Sequence, residues 1–170
     1  VNLFDEEVEN VTINDNDTEN NSILLQSSSE HTGTFTLTGG RSGDTFVIDD
    51  AVALTSVTID ATAQLSDVTI DVGVANQDID MGSGDDNVVF ITEDTLTDDD
   101  DVVGGAGDDT ITAQFTADSD SDLNVAGVEA VRLAADAAAG TVVTVDVSES
   151  DDITTIELMS DNHEHNSVDG

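Results

Sequence analysis

The sequence predicts an all-β fold, a parallel β-solenoid (β-roll or β-helix) of about seven coils with two strands in each coil. Short clusters of Val, Ile, Thr and Phe alternate with stretches rich in Gly, Asp, Asn and Ser, as short strands and their turns do. The clusters recur with a period of about 22 residues, two clusters to a period. Hydrophobic residues make up 37% of the chain, and a disordered acidic tail would lack such regular apolar clusters. We therefore expect one solenoid domain over residues 1–170, with irregular ends at 1–10 and 161–170.

The clusters fall into two interleaved series, one for each strand of the predicted coil. The first series is centred on Ile13, Phe35, Val57, Ile79, Val102, Leu123 with Val125, and Val145. The second series is centred on Leu24, Val47, Thr69, Val89, Ile111, Arg132 and Thr154. Because side chains alternate along a strand, we expect Val, Ile, Leu and the five Phe to face a thin core, and Thr, Ser and Asp to face outwards. Only residues 128–140, VEAVRLAADAAAG, have a helix-like composition.

The charge balance narrows the classes of partner. The chain has 39 acidic residues against two basic ones, Arg41 and Arg132, and its formal net charge is −37. Internal salt bridges cannot neutralise this charge, so solvent, salt or metal ions must do so. The charge argues against nucleic acid and anionic membranes as partners, and no apolar run approaches the roughly 20 residues of a transmembrane helix. The absence of Cys excludes disulfides and thiolate metal sites.

Turns rich in Gly and Asp connect the first and second strands of successive coils, and we expect them to stack along one edge of the solenoid. These turns are GGRSGD (39–44), ATAQLSD (61–67), MGSGDD (81–86) and GGAGDD (104–109). Their last aspartates are Asp44, Asp67, Asp86 and Asp109. Since these aspartates are about one coil apart, we expect a column of carboxylates roughly 5 Å apart.

A column of bare carboxylates repels itself, and a hard divalent cation between coils would make the interaction attractive. Calcium takes roughly six to eight oxygen ligands, and glycine lets backbone carbonyl groups approach closely. The turns therefore predict calcium sites. The candidate metal-binding residues are Gly39, Gly40, Asp44, Asp67, Gly82, Gly84, Asp85, Asp86, Gly104, Gly105, Gly107, Asp108 and Asp109.

Two stretches carry a family resemblance. Residues 104–112, GGAGDDTIT, match the pattern G-G-x-G-x-D-x-U-x, and in this the chain resembles the calcium-binding RTX repeat proteins. Residues 81–89 and 39–47 follow the same pattern, with Met81 for the first glycine in one and Ser42 for the third glycine in the other. Residues 123–135, LNVAGVEAVRLAA, are similar to the N-V-x-G-x-E-x-V-x-L unit of calcium-dependent bacterial surface-layer (S-layer) proteins.

The resemblance implies an extracellular, type I secreted structural protein that folds and self-assembles with calcium into a surface layer or filament. Ca²⁺ would be its cofactor, and its partners would be further copies of itself and a cell-envelope glycan. The alternative is a non-catalytic RTX module of a larger secreted enzyme or adhesin, which would need a catalytic or adhesive domain elsewhere in the full-length protein.

Parallel β-helices also include enzymes, and the sequence argues against that class. Polysaccharide lyases and glycosidases of this shape use paired carboxylates, which here are too abundant to be diagnostic. A lyase site also needs Lys, Arg or Tyr to stabilise or relay charge, and the chain has no Lys, no Tyr and two separated Arg. We therefore predict no enzymatic activity.

The opposite edge of the solenoid carries longer loops, such as ITEDTLTDDDD (91–101). For its acidic run, 98–101, a solvated loop and a chelating loop are both open. Further candidates on this second edge are Asp49, Asp50, Asp71, Asp78, Asp80, Asp118, Asp120 and Asp122.

Overall fold

The computed structural model describes ten stretches of the chain, and within them the protein is all β. The described residues are 2–3, 10–17, 19–27, 33–52, 57–74, 76–90, 92–116, 120–135, 144–148 and 150–159. Its strands in chain order are β1 (Asn2–Leu3), β2 (Asn10–Asp15), β3 (Asn21–Ser27), β4 (Thr34–Gly39), β5 (Thr45–Val52), β6 (Val57–Gln64), β7 (Asp67–Val72), β8 (Gln77–Asp80), β9 (Asn87–Phe90), β10 (Asp101–Val103), β11 (Thr110–Phe115), β12 (Asp120–Asp122), β13 (Asn124–Ala126), β14 (Ala130–Ala135), β15 (Thr144–Asp146) and β16 (Thr155–Met159). No helix long and apolar enough to cross a membrane occurs in these stretches.

The strands form two large parallel sheets between which the chain alternates. The eight-stranded sheet has the order β1-β3-β5-β7-β9-β11-β14-β16, and the six-stranded sheet has the order β13-β10-β8-β6-β4-β2. Every strand pairing is parallel, and each strand pairs with the strand one coil away. The predicted parallel β-solenoid is confirmed, since nearly every predicted cluster centre lies inside a strand. Leu123 and Thr154 lie one residue before β13 and β16.

The predicted number of coils is slightly too high. The six-stranded sheet delimits about five turns within the described residues, against the seven predicted. The difference arises at β15, which contains Val145. This strand pairs with β12, in register Ser121 to Val145, and does not extend the six-stranded sheet beyond β13.

The core lies between the two large sheets, because every second side chain of a strand points towards the facing sheet. The eight-stranded sheet contributes a column of register partners comprising Ile23, Ile48, Ile70, Val88, Ile111 and Val131. The six-stranded sheet contributes a facing column comprising Phe35, Ile59, Ile79, Val102 and Val125. All of these except the half-buried Ile23 are buried, and burial of each side chain contributes about 1.5–3 kcal/mol.

The phenylalanines are large parts of this core, as predicted. The buried ones are Phe35, Phe46, Phe90 and Phe115. The fifth, Phe4, lies outside the described residues.

The helix-like composition of residues 128–140 is misleading. Residues 130–135 form β14, which pairs in unbroken register with β11 and with β16. Val131 and Leu133 are buried while Arg132 is exposed, which is the two-residue alternation of a strand. Tertiary pairing on both sides overrides the helix preference of alanine. Residues 136–140 lie outside the described part of the chain.

Candidate metal site in the stacked turns

The turns between the two large sheets stack so closely that a side chain at several glycine positions would clash with the backbone of the next turn. At each of six glycines, a carbonyl oxygen of a neighbouring turn lies within 3 Å of the position that a Cβ atom would occupy. These glycines are Gly39, Gly82, Gly84, Gly104, Gly105 and Gly107. Backbone hydrogen bonds join the turns, with the Ala106 N–H donating to the Gly82 carbonyl and the Gly84 N–H donating to the Ala106 carbonyl, each at 3.0 Å. The predicted stacking of the Gly/Asp turns is therefore present.

Three carboxylates form a row along the inner side of these turns, which we call the inner ladder (Asp86, Asp109 and Glu129). The Val68 N–H donates to Asp86 Oδ1 at 2.7 Å. The Asp86 N–H donates to Asp109 Oδ1 at 2.8 Å, and the Asp109 N–H donates to Glu129 Oε2 at 2.7 Å. Each carboxylate thus caps a backbone N–H of the preceding coil.

A second row runs on the solvent side of the same turns, which we call the outer ladder (Asp67, Asp85 and Asp108). The Asp85 N–H donates to Asp67 Oδ1, and the Asp108 N–H donates to Asp85 Oδ1, both at 3.0 Å. Asp85 and Asp108 are exposed. Water can solvate these two carboxylates, so the outer ladder has less need of a cation than the inner one.

The predicted single column of Asp44, Asp67, Asp86 and Asp109 is wrong in register. Thr45 pairs with Asp67, which places Asp44 beside Ser66, and Thr69 pairs with Asn87, which aligns Asp67 with Asp85. The register differs because the coil between Thr69 and Asn87 is shorter than its neighbours.

The first Gly/Asp turn does not join either ladder. Asp44 contributes its backbone, since its carbonyl accepts the Asp67 N–H at 2.9 Å. A Cβ atom on Gly40 would lie 2.6 Å from both Gln64 Nε2 and Ser66 Oγ, a neutral buried pair that is hydrogen bonded at 2.6 Å. Gly40 and Asp44 therefore adjoin neutral groups rather than the carboxylates of the two ladders, whereas Gly39 lies against the Asp15 carbonyl.

Asp86 is buried with half of its carboxylate unsatisfied. Its side chain is 3% exposed, and its Oδ2 accepts no hydrogen bond. Burial raises the pKa of Asp86 to about 6, and the carboxylates of Asp67 and Asp85 add to the rise. The N–H groups of Val68 and Gly82 lower the pKa of Asp86. The Gly82 N–H nevertheless makes no hydrogen bond of ordinary geometry with Asp86 Oδ2.

Asp109 repeats the same arrangement one coil further on. It is 2% exposed and its Oδ2 accepts no hydrogen bond. Burial raises the pKa of Asp109 to about 6, in the same direction as the carboxylates of Asp86, Glu129 and Asp85, whereas the Asp86 N–H lowers it. A buried polar atom without a partner costs about 1–3 kcal/mol, and more when it is charged. The inner ladder therefore favours either a proton or a cation at these oxygens.

The donor set suits a hard cation. Carboxylate and carbonyl oxygens are the ligands that calcium prefers. In the described part of the chain no three acidic or histidine side chains converge on one point. A cation held here would therefore take backbone carbonyl oxygens together with the unsatisfied carboxylate oxygens of Asp86 and Asp109.

A scan against protein-family models matches none, and no curated protein and no solved structure matches the chain. What the chain does is inferred from its own residues.

The acidic run at the opposite edge is partly structural. Asp100 is 2% exposed, and its Oδ1 accepts the Gln77 N–H at 2.7 Å. Its Oδ2 accepts the Thr97 N–H at 2.8 Å and the Thr97 hydroxyl at 3.1 Å. Both carboxylate oxygens are thus used in ordering the loop, while Asp98 and Asp99 are exposed. The Thr three residues before an Asp, a spacing typical of local capping, is a sequence signal for this role.

The other second-edge candidates whose side chains the structure describes lie within strands. Asp78 and Asp80 lie in β8, where Asp78 pairs with Asp101 and Asp80 pairs with Asp60 across the outward face of the six-stranded sheet. Burial raises the pKa of Asp80, and the carboxylates of Asp78, Asp60 and Asp101 add to the rise. Asp71 lies in β7, while Asp118 and the side chains of Asp49, Asp50, Asp120 and Asp122 lie outside the described residues.

Sequence reasoning missed Glu129 as a member of the acidic row. Glu129 immediately precedes β14, just as Asp86 and Asp109 immediately precede β9 and β11. This position relative to the next strand is a signal that spacing in residues alone does not reveal, because the turns differ in length.

Proposed function

We propose that the chain is an extracellular structural protein whose folding and self-assembly into a surface layer or filament depend on calcium bound in the stacked Gly/Asp turns. The observation that carries this proposal is the pair of buried aspartates, Asp86 and Asp109, in successive turns, each with an unsatisfied Oδ2.

Calcium fits the inner ladder better than a proton does at neutral pH. Carboxyl groups with a pKa of about 6 are mostly ionised at pH 7, so the metal-free protein holds two buried negative charges one coil apart. Calcium accepts carboxylates and carbonyls in flexible geometry, whereas magnesium demands a near-ideal octahedron and retains water. Extracellular calcium modules have Kd values of about 10⁻⁴–10⁻³ M, and a site filled at ten times its Kd adds about 1.4 kcal/mol.

The net charge extends the calcium dependence from the inner ladder to the stability of the whole solenoid. With 39 acidic and two basic residues, the folded solenoid concentrates negative charge that the unfolded chain can spread out. One of the two basic residues, Arg132, is already paired with Glu157 at 3.1 Å on the exposed face of β14. Bound divalent cations would offset part of the remaining repulsion and so stabilise the compact form.

The same residues favour a structural role over catalysis. The β-solenoid fold is commonly structural. The chain has no Lys or Tyr to relay charge, and its acidic groups at the stacked turns cap backbone N–H groups. We propose that it acts without catalysing a reaction.

Self-assembly is supported by the last strand of the eight-stranded sheet. Ile156 and Leu158 of β16 are register partners of the buried Val131 and Leu133, yet they are 52% and 78% exposed. They lack cover because β15 pairs with β12 instead of extending the six-stranded sheet. An edge strand with exposed apolar side chains is a ready surface for pairing with another chain. We propose that another copy of the chain covers it.

Calcium titration of the purified chain tests the proposal by circular dichroism and sedimentation velocity, with chelator reversal and magnesium as the control ion. We expect β-signal and large assemblies to appear with calcium and to disappear on chelation. The variant Asp86→Asn with Asp109→Asn should require much more calcium, whereas Glu157→Gln, which removes an exposed carboxylate, should respond as the unmodified chain does. Equal folding and a monomeric state with and without calcium would overturn the proposal.

A further inference from the structure

The inner ladder extends beyond the Gly/Asp turns into a turn of different sequence. Val103 pairs with Ala126 on one side and Thr110 pairs with Ala130 on the other, so residues 104–109 face only residues 127–129. The shorter turn leaves Glu129 opposite Asp109. Its longer side chain reaches the Asp109 N–H at 2.7 Å, as Asp109 reaches the Asp86 N–H at 2.8 Å.

A carboxylate oxygen and a carbonyl oxygen lie close together where these two turns meet. The point at which a Cβ atom on Gly104 would lie is 1.9 Å from the Gly127 carbonyl oxygen and 2.8 Å from Asp109 Oδ2. Asp109 Oδ2 is the buried oxygen that accepts no hydrogen bond. The lack of a side chain at Gly104 therefore lets an unsatisfied carboxylate oxygen and a backbone carbonyl oxygen approach the same point, and Glu129 adds a second carboxylate next to Asp109.

The row of carboxylates ends at Glu129. One coil further, the aligned position is Thr154, whose N–H donates to the Glu129 carbonyl at 2.9 Å. At the other end, Val68 lies beside Asp86 and contributes only its N–H. The inner ladder therefore contains two intervals, one between Asp86 and Asp109 and one between Asp109 and Glu129.

We propose that Glu129 is a ligand in a second cation position of the inner ladder, in the interval bordered by Asp109 Oδ2 and the Gly127 carbonyl. The ion is a hard divalent cation of the calcium class, because the groups that would bind it are carboxylate and carbonyl oxygens. This inference rests on the proposed calcium dependence and adds to it a residue outside the Gly/Asp turns. Asp109 borders both intervals and is shared by the two positions.

Calcium stoichiometry at saturation tests the inference, measured by equilibrium dialysis with elemental analysis and accompanied by circular dichroism of each sample. We expect Glu129→Gln to bind one calcium ion fewer per chain than the unmodified protein. Asp109→Asn should lose two ions, because it removes a carboxylate from both intervals. Glu157→Gln is the matched control, since it removes a carboxylate of the same residue type from the exposed face of the next coil, and it should lose none.

The outcomes separate this inference from the function on which it rests. If the unmodified chain binds no calcium, the proposed function fails and the second position fails with it. If the unmodified chain binds calcium and Glu129→Gln binds the same number of ions with the same affinity, Glu129 is not a ligand, while calcium dependence stands. If Glu129→Gln does not fold, Glu129→Asp is tested instead, because it keeps the charge and shortens the side chain. We expect Glu129→Asp to fold and to bind calcium more weakly at the second cation position. Unchanged affinity in Glu129→Asp would also overturn the inference.

Discussion

Neighbouring aspartates in one turn have opposite environments because the two-residue alternation of the strands continues into the turns. Asp85 and Asp108 are exposed, whereas Asp86 and Asp109, each one residue further on, are buried. The buried member of each pair precedes an alternating strand by one residue and so shares the inward parity of its apolar side chains, such as Ile111. The chemistry of the site therefore depends on a shift of a single residue.

The raised pKa values predict how stability of the metal-free protein depends on pH. Asp86 and Asp109 have pKa values of about 6 in the folded protein, above the roughly 3.9 of an unfolded Asp. Between these values the folded state binds more protons than the unfolded state, so the free energy of unfolding falls as pH rises through this window. We expect a loss on the order of 1–3 kcal/mol per carboxyl group.

Thermal melting by circular dichroism in metal-free buffer between pH 4 and pH 7 measures this effect. The unmodified chain should melt at progressively lower temperature as the pH rises. The variant Asp86→Asn with Asp109→Asn should show a flatter dependence, because only Asp80, Asp100 and the overall charge then contribute to a slope of this sign. Identical slopes in the two proteins would contradict the assignment of these carboxyl groups as the buried titrating pair.

The turn is the element that fixes the spacing between coils. Ordinary strands tolerate side chains on both faces, whereas these turns bring backbone oxygens to within 3 Å of glycine Cβ positions. Inter-turn hydrogen bonds such as Ala106 N–H to the Gly82 carbonyl depend on that approach. The glycines serve stacking first, and the close approach of Asp109 Oδ2 and the Gly127 carbonyl oxygen beside Gly104 is a consequence of it.

Gly104→Ala tests the steric role of the turn. The new Cβ atom would lie 1.9 Å from the Gly127 carbonyl oxygen, so the backbone must shift, and we expect a loss of roughly 3 kcal/mol or more in the free energy of unfolding. Gly43→Ala is the control for backbone strain alone, because Gly43 has a φ of 91° and open space around it, and it should cost about 1–2 kcal/mol. Urea unfolding of both variants in saturating calcium provides the comparison. A smaller loss for Gly104→Ala than for Gly43→Ala would show that the turns do not depend on close stacking.

At the scale of the whole molecule, the two sheets of the solenoid end at different places. The eight-stranded sheet continues to β16, while the six-stranded sheet stops at β13. Ile156 and Leu158 therefore continue the apolar columns of the core without a facing sheet. An apolar core that is covered on one side only favours association with another surface.

The variant Ile156→Ser with Leu158→Ser tests whether this end mediates assembly. Since both side chains are more than half exposed, we expect little change in monomer stability and a marked loss of calcium-dependent assemblies in sedimentation velocity. Val74→Ser is the matched control, because Val74 is 60% exposed elsewhere on the surface and its replacement should leave assembly unchanged. Assemblies of undiminished size in the double variant would place the interface elsewhere.

Much of the solenoid could be predicted because it follows from local patterns. Strand positions such as those around Phe35, Ile79 and Ile111 follow from alternating β-branched and aromatic residues. The Gly/Asp turns were found because glycine is required where backbones approach closely. The environment of Asp44 could not be predicted, because its alignment with Ser66 follows from the pairing register of β5 with β7, which places Thr45 opposite Asp67.

The sequence by itself determined the all-β class, the two-strand coil, the places of the Gly/Asp turns and the excess of negative charge. Its alternation and period are local properties that each segment carries alone. Only the tertiary structure decided which carboxylates lie inside, that Glu129 continues the row of Asp86 and Asp109, that residues 130–135 form a strand, and that β15 leaves the six-stranded sheet. These features depend on register between coils of unequal length, and register is set by hydrogen bonds between residues about twenty or more positions apart, which no local pattern contains.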